Sequence, residues 1–413
     1  MFRNYIMVRI GIVGKTNTGK TTFFNAATMQ TAEISMYPFT TKSPNYGTGY
    51  VSIPCVCREF KVKDDPVNSS CIDGWRFIPV EIIDLPGLIK GAWMGKGLGN
   101  QFLSVASQSD VLLHMVDASG SINADGKIDK PGSGDPVRDF IDVEEEIINW
   151  FTKNIQNRMR NVEKLTSLKG YKVDEALVEV LAGMRISIHH VRAALVETKL
   201  YEKDINKWTQ EDIEFFSKSL RWISKPTLIV ANKMDLPTAE DNYKALVEEL
   251  SELIVIPCSA EAELVLKRAE QKGLVRYVPG NEKFMVYDET KLTEKQKWAL
   301  RYIEDKVLKK ILNTGVQLAI NTTVFKLMKM NVIYPVEDEK NLTDSSGNVL
   351  PDAILLPEGA NLVDLAREIH TELAKGVLYG IDVRTGLRIP KDMVLRDRDV
   401  VKIVSTTGRS KRR

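Results

Sequence analysis

Short segments that follow apolar runs carry the residue types needed to bind phosphate esters. The first, GKTNTGKT, starts at Gly14 and fits the pattern G-x-x-x-x-G-K-[ST], with Gly19, Lys20 and Thr21 at its end. The glycines let backbone N–H groups curl around phosphates, and the helix that follows adds its positive dipole. We therefore predict a phosphate loop in which Lys20 reaches the β- and γ-phosphates and Thr21 ligates Mg²⁺.

The tetrapeptide DLPG, at residues 84–87, supplies a second element of the same chemistry. Asp84 ends an apolar run, where its carboxylate can hold Mg²⁺ through a water molecule, and the N–H of Gly87 can sense the γ-phosphate. The pattern D-x-x-G has little weight alone, but it gains weight from its place at a strand end after the phosphate loop. We also assign Thr18 and Thr22 to the nucleotide-binding residues.

The segments IVANKMD and CSA predict a site for a guanine base. Asp235 offers a carboxylate that accepts two hydrogen bonds from the N1–H and the exocyclic amine of guanine, and adenine has no such donor pair. Asn232 would brace the loops, and the stem of Lys233 would lie against the base. Ser259 and Ala260 follow another apolar run and would bring a backbone N–H to the guanine O6. All four motifs, from the phosphate loop to CSA, occur in the expected order along the chain, and this favours GTP over ATP.

The elements that position these residues alternate between short apolar runs and helical patterns. Near-continuous apolar runs of this length suit parallel strands covered on both faces, so we predict a doubly wound α/β domain. The runs are Val8–Val13, Val80–Ile83, Val111–Val116, Thr227–Ala231 and Leu253–Ile256.

Two segments depart from this alternation and define the predicted domains. Residues 119–136 read as a long loop, after which apolar residues at helical spacing predict three helical stretches, from Phe140, at about Lys172–Leu200 and at about Gln210–Ile223. Four strand-like runs around a helix at Asn361–Leu373 predict a separate C-terminal domain. The boundaries are 1–138 and 226–320 for the P-loop domain, 139–225 for a helical insertion, 321–408 for the C-terminal domain and 409–413 for a basic tail.

Composition limits the functional classes. Charged residues make up 27% of the chain and the net charge is +2, so no global basic field argues for binding to DNA. We find neither a signal peptide nor an apolar stretch long enough to span a membrane, and we expect a cytoplasmic protein that does not bind membranes. Four cysteines are too few for a disulfide scaffold and suit a reducing compartment.

Several of these segments together resemble the Obg-like translation-factor GTPases, within them the YchF-related branch. The resemblance rests on YPFTTKSPNYG, DLPGLIKGAWMGKGLGNQFL, HMVDAS and NKMD, and on the C-terminal ILLPEGANLVDLAREIHTELAKGVLYG, which is similar to the β-grasp TGS module. It implies a regulatory GTPase acting on ribosomes or RNA. Close YchF relatives prefer ATP and carry an altered base-reading motif, whereas this chain keeps a full NKMD, so we do not transfer ATP specificity to it.

The resemblance also assigns roles to individual residues. Thr41 becomes the switch threonine that ligates Mg²⁺ in the triphosphate state, with Thr40 as the neighbouring alternative. Cation-activated GTPases similar to this family carry an asparagine at the position of Asn17, so we consider K⁺ as a second cofactor there. An asparagine that only braces the loop is the alternative. His114 becomes a candidate catalytic residue, although we prefer a hydrogen-bonded core histidine.

Leu88 stands where many nucleotide hydrolases place a glutamine that orients water, and it matches the apolar residue of the family. Because leucine cannot orient water, we predict slow intrinsic hydrolysis unless another group assists. The glycines that follow would make a switch segment that the γ-phosphate orders and hydrolysis releases. They are Gly91, Gly95, Gly97 and Gly99.

Cys55, Cys57 and Cys71 cluster in a short stretch that suggests a zinc knuckle. A structural zinc site wants four ligands, and only three cysteines are present, although Asp64 or Asp65 could complete it. We prefer free buried thiols, and a zinc site stays open as the alternative.

The sequence thus predicts a GTP-binding and GTP-hydrolysing switch that engages the ribosome or RNA in translation, requires Mg²⁺ and is monomeric. Two alternatives stay open. One is a nucleotide-gated binding module for which hydrolysis is incidental, and the other is an ATPase of the YchF type, which Asp235 disfavours.

Overall fold

The computed structural model describes residues 7–29, 44–88, 91–94, 99–123 and 126–406. The strands, numbered along the chain, are β1 Arg9–Val13, β2 Asn45–Pro54, β3 Ser70–Ile72, β4 Trp75–Asp84, β5 Val111–Asp117, β6 Thr227–Asn232, β7 Val255–Pro257, β8 Val275–Arg276, β9 Met285–Val286, β10 Met330–Val336, β11 Ile354–Pro357, β12 Val377–Asp382, β13 Arg388–Pro390 and β14 Val400–Ser405.

The α-helices of the described residues are numbered in the same way. They are α1 Lys20–Thr28, α2 Cys57–Phe60, α3 Gly99–Ser107, α4 Pro136–Lys169, α5 Val173–Leu181, α6 Ile188–Glu197, α7 Gln210–Ser224, α8 Ala239–Glu249, α9 Ala260–Gln271, α10 Glu294–Ile303, α11 Lys309–Ile311, α12 Val316–Asn321, α13 Leu362–Ile369 and α14 Thr371–Lys375. None of these helices is long and apolar enough to cross a membrane.

The largest sheet has the strand order β2-β4-β1-β5-β6-β7, and β3 pairs with β4. Strands β4, β1, β5, β6 and β7 run parallel to one another, whereas β3 runs antiparallel to β4. Every residue of β5 and β6 is buried, as a parallel sheet covered on both faces requires. The predicted doubly wound α/β architecture is confirmed, and it places the carboxyl ends of β1, β4, β5 and β6 at one edge.

Helices α4 to α7 form the insertion between β5 and β6. The longest, α4, begins at Pro136, where the Asp135 carboxylate accepts hydrogen bonds from the Val137 and Arg138 N–H groups. The stretch expected as a single helix at about Lys172–Leu200 is instead two helices, α5 and α6. A 3₁₀ turn separates them and ends at Arg185, whose φ of 50° lies in the left-handed region and stops the helix.

The C-terminal sheet has the strand order β11-β10-β14-β12-β13 and packs its apolar face against α13. All four predicted strands are present. The short β13 was not predicted, because its three residues, two of them exposed, carry too little periodicity. The predicted helix at Asn361–Leu373 is broken at His370, whose backbone is extended (φ −168°, ψ 133°) and whose side chain accepts from the Glu372 N–H.

The chain divides into two compact units. One contains residues 9–47 and 81–319, with the phosphate loop, the base-reading motif and the insertion. The other contains Thr48–Val80 together with the residues from Ile320 onward. The predicted boundaries placed 48–80 in the P-loop domain, but within the second unit this segment hydrogen bonds to the C-terminal domain, for example from the Val67 N–H to the Pro351 carbonyl (2.7 Å).

Candidate nucleotide-binding site

The phosphate loop, residues 14–21, leads from β1 into α1 and requires glycine at positions 14 and 19. Gly14 has φ 142°, and a Cβ there would lie 2.3 Å from the Met115 carbonyl oxygen of β5. Gly19 has φ 93°, and a Cβ there would lie 2.3 Å from Asn232 Nδ2. Both residues adopt the left-handed region and touch a neighbouring element, so a side chain at either position would displace the loop.

Lys20 is folded back over this loop. Its Nζ donates to the carbonyl oxygens of Gly14 (3.1 Å) and Lys15 (2.6 Å). Burial lowers the pKa of Lys20 to about 8, and the nearby Asp84 carboxylate partly offsets this effect. A buried ammonium group at the mouth of a phosphate loop is suited to pairing with the phosphate oxygens of a nucleotide.

Thr21 and Asp84 meet as expected of residues that share a metal ion. The Thr21 hydroxyl donates to Asp84 Oδ2 at 2.8 Å, and Asn45 Nδ2 lies 3.3 Å from the same oxygen. Asp84 Oδ1 is buried and has no hydrogen-bond partner among the described residues. Burial raises the pKa of Asp84, although Lys20 and Thr21 oppose the rise. A buried carboxylate oxygen beside a hydroxyl is a hard oxygen donor set, which fits Mg²⁺.

The remaining predicted phosphate-side residues are placed as follows. Thr18 donates its hydroxyl to the Lys15 carbonyl at 3.1 Å, and Thr22 lies in the first turn of α1. Thr40 and Thr41 lie outside the described residues, so their assignment as switch threonines stays a prediction.

The base-reading residues come together at the ends of β6 and β7. Asn232 braces two loops, since its Nδ2 donates to the Thr18 carbonyl (2.9 Å) and its Oδ1 accepts from the Ala260 N–H (3.0 Å). Ser259 donates its hydroxyl to Asp235 Oδ1 at 2.8 Å. Lys233 has φ 65°, and its Nζ lies 2.8 Å from Asp117 Oδ2. These contacts fix the orientation of the Asp235 carboxylate relative to the phosphate loop.

Sequence reasoning missed Tyr302, a residue of α10 at this carboxylate. Its hydroxyl lies 3.4 Å from Asp235 Oδ2 and 3.3 Å from the Asp235 carbonyl oxygen. Its ring stacks on Trp298, which is 67% exposed, at 5.3 Å between centroids. Nothing in the local sequence connects α10 with a motif 67 residues earlier, so only the fold reveals this contact.

The glycine loop, residues 84–99, is described at 84–88, at 91–94 and at 99. A Cβ on Gly87 would lie 2.5 Å from Thr16 Cγ2, so the backbone of this residue lies directly against the phosphate loop. Leu88 donates its N–H to the Gly14 carbonyl (3.1 Å), and its side chain is buried in the core shared with the insertion. Gly95 and Gly97 lie outside the described residues.

The loop at residues 119–135 covers the other side of the phosphate loop, which the sequence did not predict. The Gly126 carbonyl accepts hydrogen bonds from the Thr16 hydroxyl (3.1 Å) and from Asn17 Nδ2 (2.9 Å). Lys15 reaches the Asn123 carbonyl (2.9 Å) and the Asp139 carboxylate (2.6 Å). Asn17, the candidate K⁺ ligand, thus places its amide beside a backbone carbonyl oxygen.

His114 belongs to a buried charged cluster that joins β5 to the insertion. Its Nδ1 lies 3.0 Å from Glu144 Oε1 on α4, and Glu144 Oε2 lies 2.6 Å from Arg221 Nη2 on α7. Burial lowers the pKa of His114, which keeps the imidazole neutral at pH 7. The structure therefore brings His114 together with Glu144 and Arg221 in the arrangement of a hydrogen-bonded core histidine. A catalytic role for His114 stays a prediction.

Comparisons with known proteins agree with this geometry. The family described as 50S ribosome-binding GTPase matches residues 9–164. The G4 motif-containing domain of the Obg-like GTPase family YGR210-like matches residues 230–338, which include NKMD. The TGS domain family matches residues 346–405.

Relatives extend the match to the whole chain. A GTP-binding protein of Methanocaldococcus jannaschii is 44% identical over 97% of this chain and 99% of its own length. The crystal structure of a GTP-binding protein from Pyrococcus horikoshii aligns with a TM-score of 0.78 at 33% identity, covering 97% of this chain and 100% of that one. The protein named ribosome-binding ATPase YchF of Bacillus subtilis is 29% identical over 64% of this chain and 69% of its own. The chain therefore belongs to the YchF-related, Obg-like P-loop GTPases that carry a C-terminal TGS domain.

Proposed function

We propose that this protein is a GTP-hydrolysing switch that engages the ribosome or RNA during translation. The observation that carries the proposal is the geometry around Asp235. Its carboxylate stands at the end of β6, oriented by the Ser259 hydroxyl at 2.8 Å, while Asn232 joins the same strand end to the phosphate loop. An acceptor pair held in this way selects the two adjacent donors of guanine.

Nucleotide choice separates this chain from the relatives named as ATPases. Since the base-reading residues are all present and in contact, we expect GTP to bind at least about tenfold tighter than ATP. This difference in binding free energy corresponds to at least one charge-assisted hydrogen bond. Titration of the full-length protein with fluorescent GTP and ATP analogues measures this. Equal affinities would remove the basis for a GTP switch and would favour an ATPase.

Hydrolysis in this site depends on positioning and charge. Lys20 binds and neutralises the β- and γ-phosphate oxygens. Thr21 and Asp84 would hold Mg²⁺, which would supply further charge neutralisation when bound. Gly87 would offer its backbone N–H to the γ-phosphate, which is supported by the contact of its backbone with Thr16 of the phosphate loop. Leu88 turns its side chain into the core and carries no polar group, so it leaves the attacking water unoriented. Slow intrinsic turnover follows from this arrangement.

The missing catalytic charge can come from a partner or from a monovalent cation. A partner arginine stabilises the transition state in many GTPases and accelerates them by about 10³–10⁵. In this chain Asn17 and the Gly126 carbonyl lie together on the outer side of the phosphate loop. Turning the amide would direct two oxygens to one point, which is a donor set suited to K⁺.

The ribosomal partner is supported by the matching GTPase family and by the name of the Bacillus subtilis relative. Co-sedimentation with purified ribosomal subunits tests it, using the protein with GTP, with GDP and without nucleotide. We expect binding to depend on the nucleotide and to be strongest with the triphosphate. The matched control is Lys20→Ala, which should lose triphosphate binding. It should stay folded because the hydrogen bonds that it removes are to carbonyl oxygens of the phosphate loop.

The buried Leu88 also favours the alternative of a nucleotide-gated binding module. In that case subunits would bind the GTP-loaded protein but would not accelerate turnover. A hydrolysing switch predicts that subunits raise the GTPase rate. Binding equal in all three nucleotide states would contradict both functions.

A further inference from the structure

Three cysteines and one aspartate outside the nucleotide site converge in the segment between β2 and β4. Cys55 follows β2, Cys57 begins the short helix α2, Asp64 lies in the loop after it, and Cys71 is the middle residue of β3. Their spacing along the chain is C-x-C-x₆-D-x₆-C. The fold brings these four side chains to one place, and it leaves out Cys258, which lies in the other compact unit.

The ligand atoms of the four residues all lie within 4.8 Å of one another. The Cys57 and Cys71 sulfurs are 3.8 Å apart, and the Cys55 sulfur is 3.3 Å from Asp64 Oδ2. Tetrahedral zinc with Zn–S bonds of about 2.3 Å and Zn–O bonds of about 2.1 Å holds two sulfurs about 3.8 Å apart and a sulfur and an oxygen about 3.6 Å apart. We propose that Cys55, Cys57, Cys71 and Asp64 form a structural zinc site.

The groups around the cluster are buried donors that would stabilise negative charge on it. Arg76 is fully buried, and its Nη2 lies 2.9 Å from Asp64 Oδ2. Arg76 Nε and the Tyr334 hydroxyl are buried beside the Cys55 sulfur, and neither has a hydrogen bond of regular geometry to any described residue. A thiol is a weak acceptor, whereas a metal-bound thiolate accepts both donors. Three thiolates and one carboxylate around Zn²⁺ carry a net charge of −2, which Arg76 partly neutralises.

The donor set distinguishes zinc from the other occupants of such a cluster. Mg²⁺ and Ca²⁺ select oxygen ligands, whereas zinc binds both Cys sulfurs and Asp oxygens in tetrahedral sites. A disulfide needs sulfurs about 2.05 Å apart and would leave the third cysteine and Asp64 unused. Four protein ligands leave no open position, so the ion stabilises structure and takes no part in hydrolysis.

Zinc here would fasten the loop that holds the C-terminal domain. Directly after Asp64, the Asp65 N–H donates to the Val349 carbonyl (2.8 Å), and Asn68 exchanges two hydrogen bonds with Ala353 (3.0 and 3.1 Å). An ion that fixes Asp64 therefore fixes the start of this loop. Its loss would loosen contacts within the second compact unit and leave the phosphate loop unaffected.

Metal analysis of the full-length protein, purified without chelator and then dialysed, tests the proposal. We expect about one zinc per chain by mass spectrometry of the elements. The variants Asp64→Asn and Cys71→Ser should lose most of it. The matched controls are Asp65→Asn, which changes an exposed neighbouring carboxylate, and Cys258→Ser, which removes the cysteine outside the cluster, and both should keep the zinc.

Cobalt substitution gives a readout that does not depend on the variants folding. Co²⁺ added to the metal-free wild-type protein should give the intense visible and near-ultraviolet absorption of tetrahedral thiolate coordination, and zinc should abolish it. For the variants at Asp64, Asp65 and Cys71, GTP binding checks that the other compact unit is folded. Wild-type protein that takes up neither zinc nor cobalt, or Cys71→Ser protein that retains full zinc, would overturn the proposal.

Discussion

We propose that nucleotide choice depends on Asp235, and two neighbouring side chains contact its carboxylate. Ser259 donates to one carboxylate oxygen at 2.8 Å, while the Tyr302 hydroxyl lies 3.4 Å from the other. The short contact orients the carboxylate. The long contact is weak, so guanine donors can replace it at small cost.

Asp235→Asn should therefore weaken GTP binding and admit xanthosine nucleotides. The substitution replaces one acceptor by a donor, which repels the guanine amine and matches the O2 carbonyl of xanthine. Loss of a hydrogen bond to a charged group costs about 1.5–3 kcal/mol, so we expect GTP affinity to fall by at least about tenfold. Calorimetric titration with GTP and XTP measures both changes. Asp241→Asn, an exposed carboxylate on α8, is the control, and unchanged GTP affinity in Asp235→Asn would place the base elsewhere.

Asn17 is the residue at which a cation effect can be tested. If K⁺ binds there, KCl should accelerate hydrolysis relative to NaCl, and Asn17→Ala should remove the acceleration while sparing GTP affinity. Asn17→Asp keeps a side-chain oxygen and should keep the acceleration. Steady-state GTPase rates in matched KCl and NaCl decide it. Equal rates for the wild type would leave a partner or His114 as the source of catalysis.

Local patterns predicted the candidate site where the chemistry is carried by contiguous residues. Gly14, Lys20 and Thr21 lie in one short segment after β1, and Asp84 meets Thr21 because it ends β4, the parallel neighbour of β1. Tyr302 and Gly126 could not be predicted. They reach the site from segments with no motif of their own, through contacts that exist only once the sheet and helices have assembled.

At the scale of elements, helix α4 connects the insertion to the site. One turn of it carries Glu144, which contacts His114 and Arg221, and Glu146, which accepts the N–H groups of Gly91 (2.7 Å) and Trp93 (3.0 Å). Burial opposes ionisation of Glu144, but Arg221 and His114 hold its pKa below the ordinary value. The insertion is thus tied by carboxylates both to β5 and to the glycine loop.

Replacing Glu144 should test the first of these ties. In Glu144→Gln the fully buried Arg221 loses its countercharge, and breaking a buried pair in this way costs about 3–5 kcal/mol. We expect a fall of that size in the free energy of unfolding, measured with urea. Glu145→Gln, one position along on the exposed face of α4, should stay within about 0.5 kcal/mol of the wild type. Equal stability of the two variants would show that the cluster of His114, Glu144 and Arg221 does not hold the insertion to β5.

Glu146→Gln should loosen the glycine loop. The amide keeps one acceptor oxygen but presents an NH₂ group to the second backbone donor, so Gly91 or Trp93 loses its partner. Hydrogen–deuterium exchange should become faster at residues 91–94, while Glu145→Gln again serves as the control. Exchange that does not change would mean that other contacts hold this segment.

The strands could be predicted from sequence better than the helix ends. Buried parallel strands are contiguous apolar runs, and β1, β5 and β6 were predicted from them almost to the residue. The breaks at Arg185 and His370 could not be predicted, because both positions lie within patterns that continue at helical spacing. The backbone is left-handed at Arg185 (φ 50°) and extended at His370 (φ −168°), where the His370 side chain caps the helix that follows.

At the scale of the whole chain, residues 48–80 are separated in sequence from the C-terminal domain but fold with it. Arg76 donates to the Leu350 carbonyl at 2.9 Å, and Arg384 makes two contacts with Glu59, at 2.7 and 2.9 Å. No local pattern in residues 48–80 indicates partners that lie 274 and 325 residues later in the chain. Truncation after Asn321 therefore removes the C-terminal domain, to which residues 48–80 hydrogen bond, but leaves residues 48–80 in the chain.

Deleting the residues after Asn321 should leave GTP binding intact and weaken ribosome or RNA association. GTP binding persists because the phosphate loop, Asp84 and the base-reading residues all lie in the other compact unit. Residues 54–75 should at the same time become accessible to proteases and exchange their amide hydrogens faster, since the Asp65 and Val67 N–H groups lose the Val349 and Pro351 carbonyls.

Nucleotide titration, subunit co-sedimentation and hydrogen–deuterium exchange of the truncated and full-length proteins measure the three effects. Arg384→Ala in the full chain is the matched control: it removes the exposed pair with Glu59, worth about 0–1 kcal/mol, and should leave residues 54–75 protected. If the truncated protein loses GTP binding, the two units are not separable. If it binds GTP while residues 54–75 stay as protected as in the full chain, the segment folds without the C-terminal domain, and the hydrogen bonds between them contribute little to its stability.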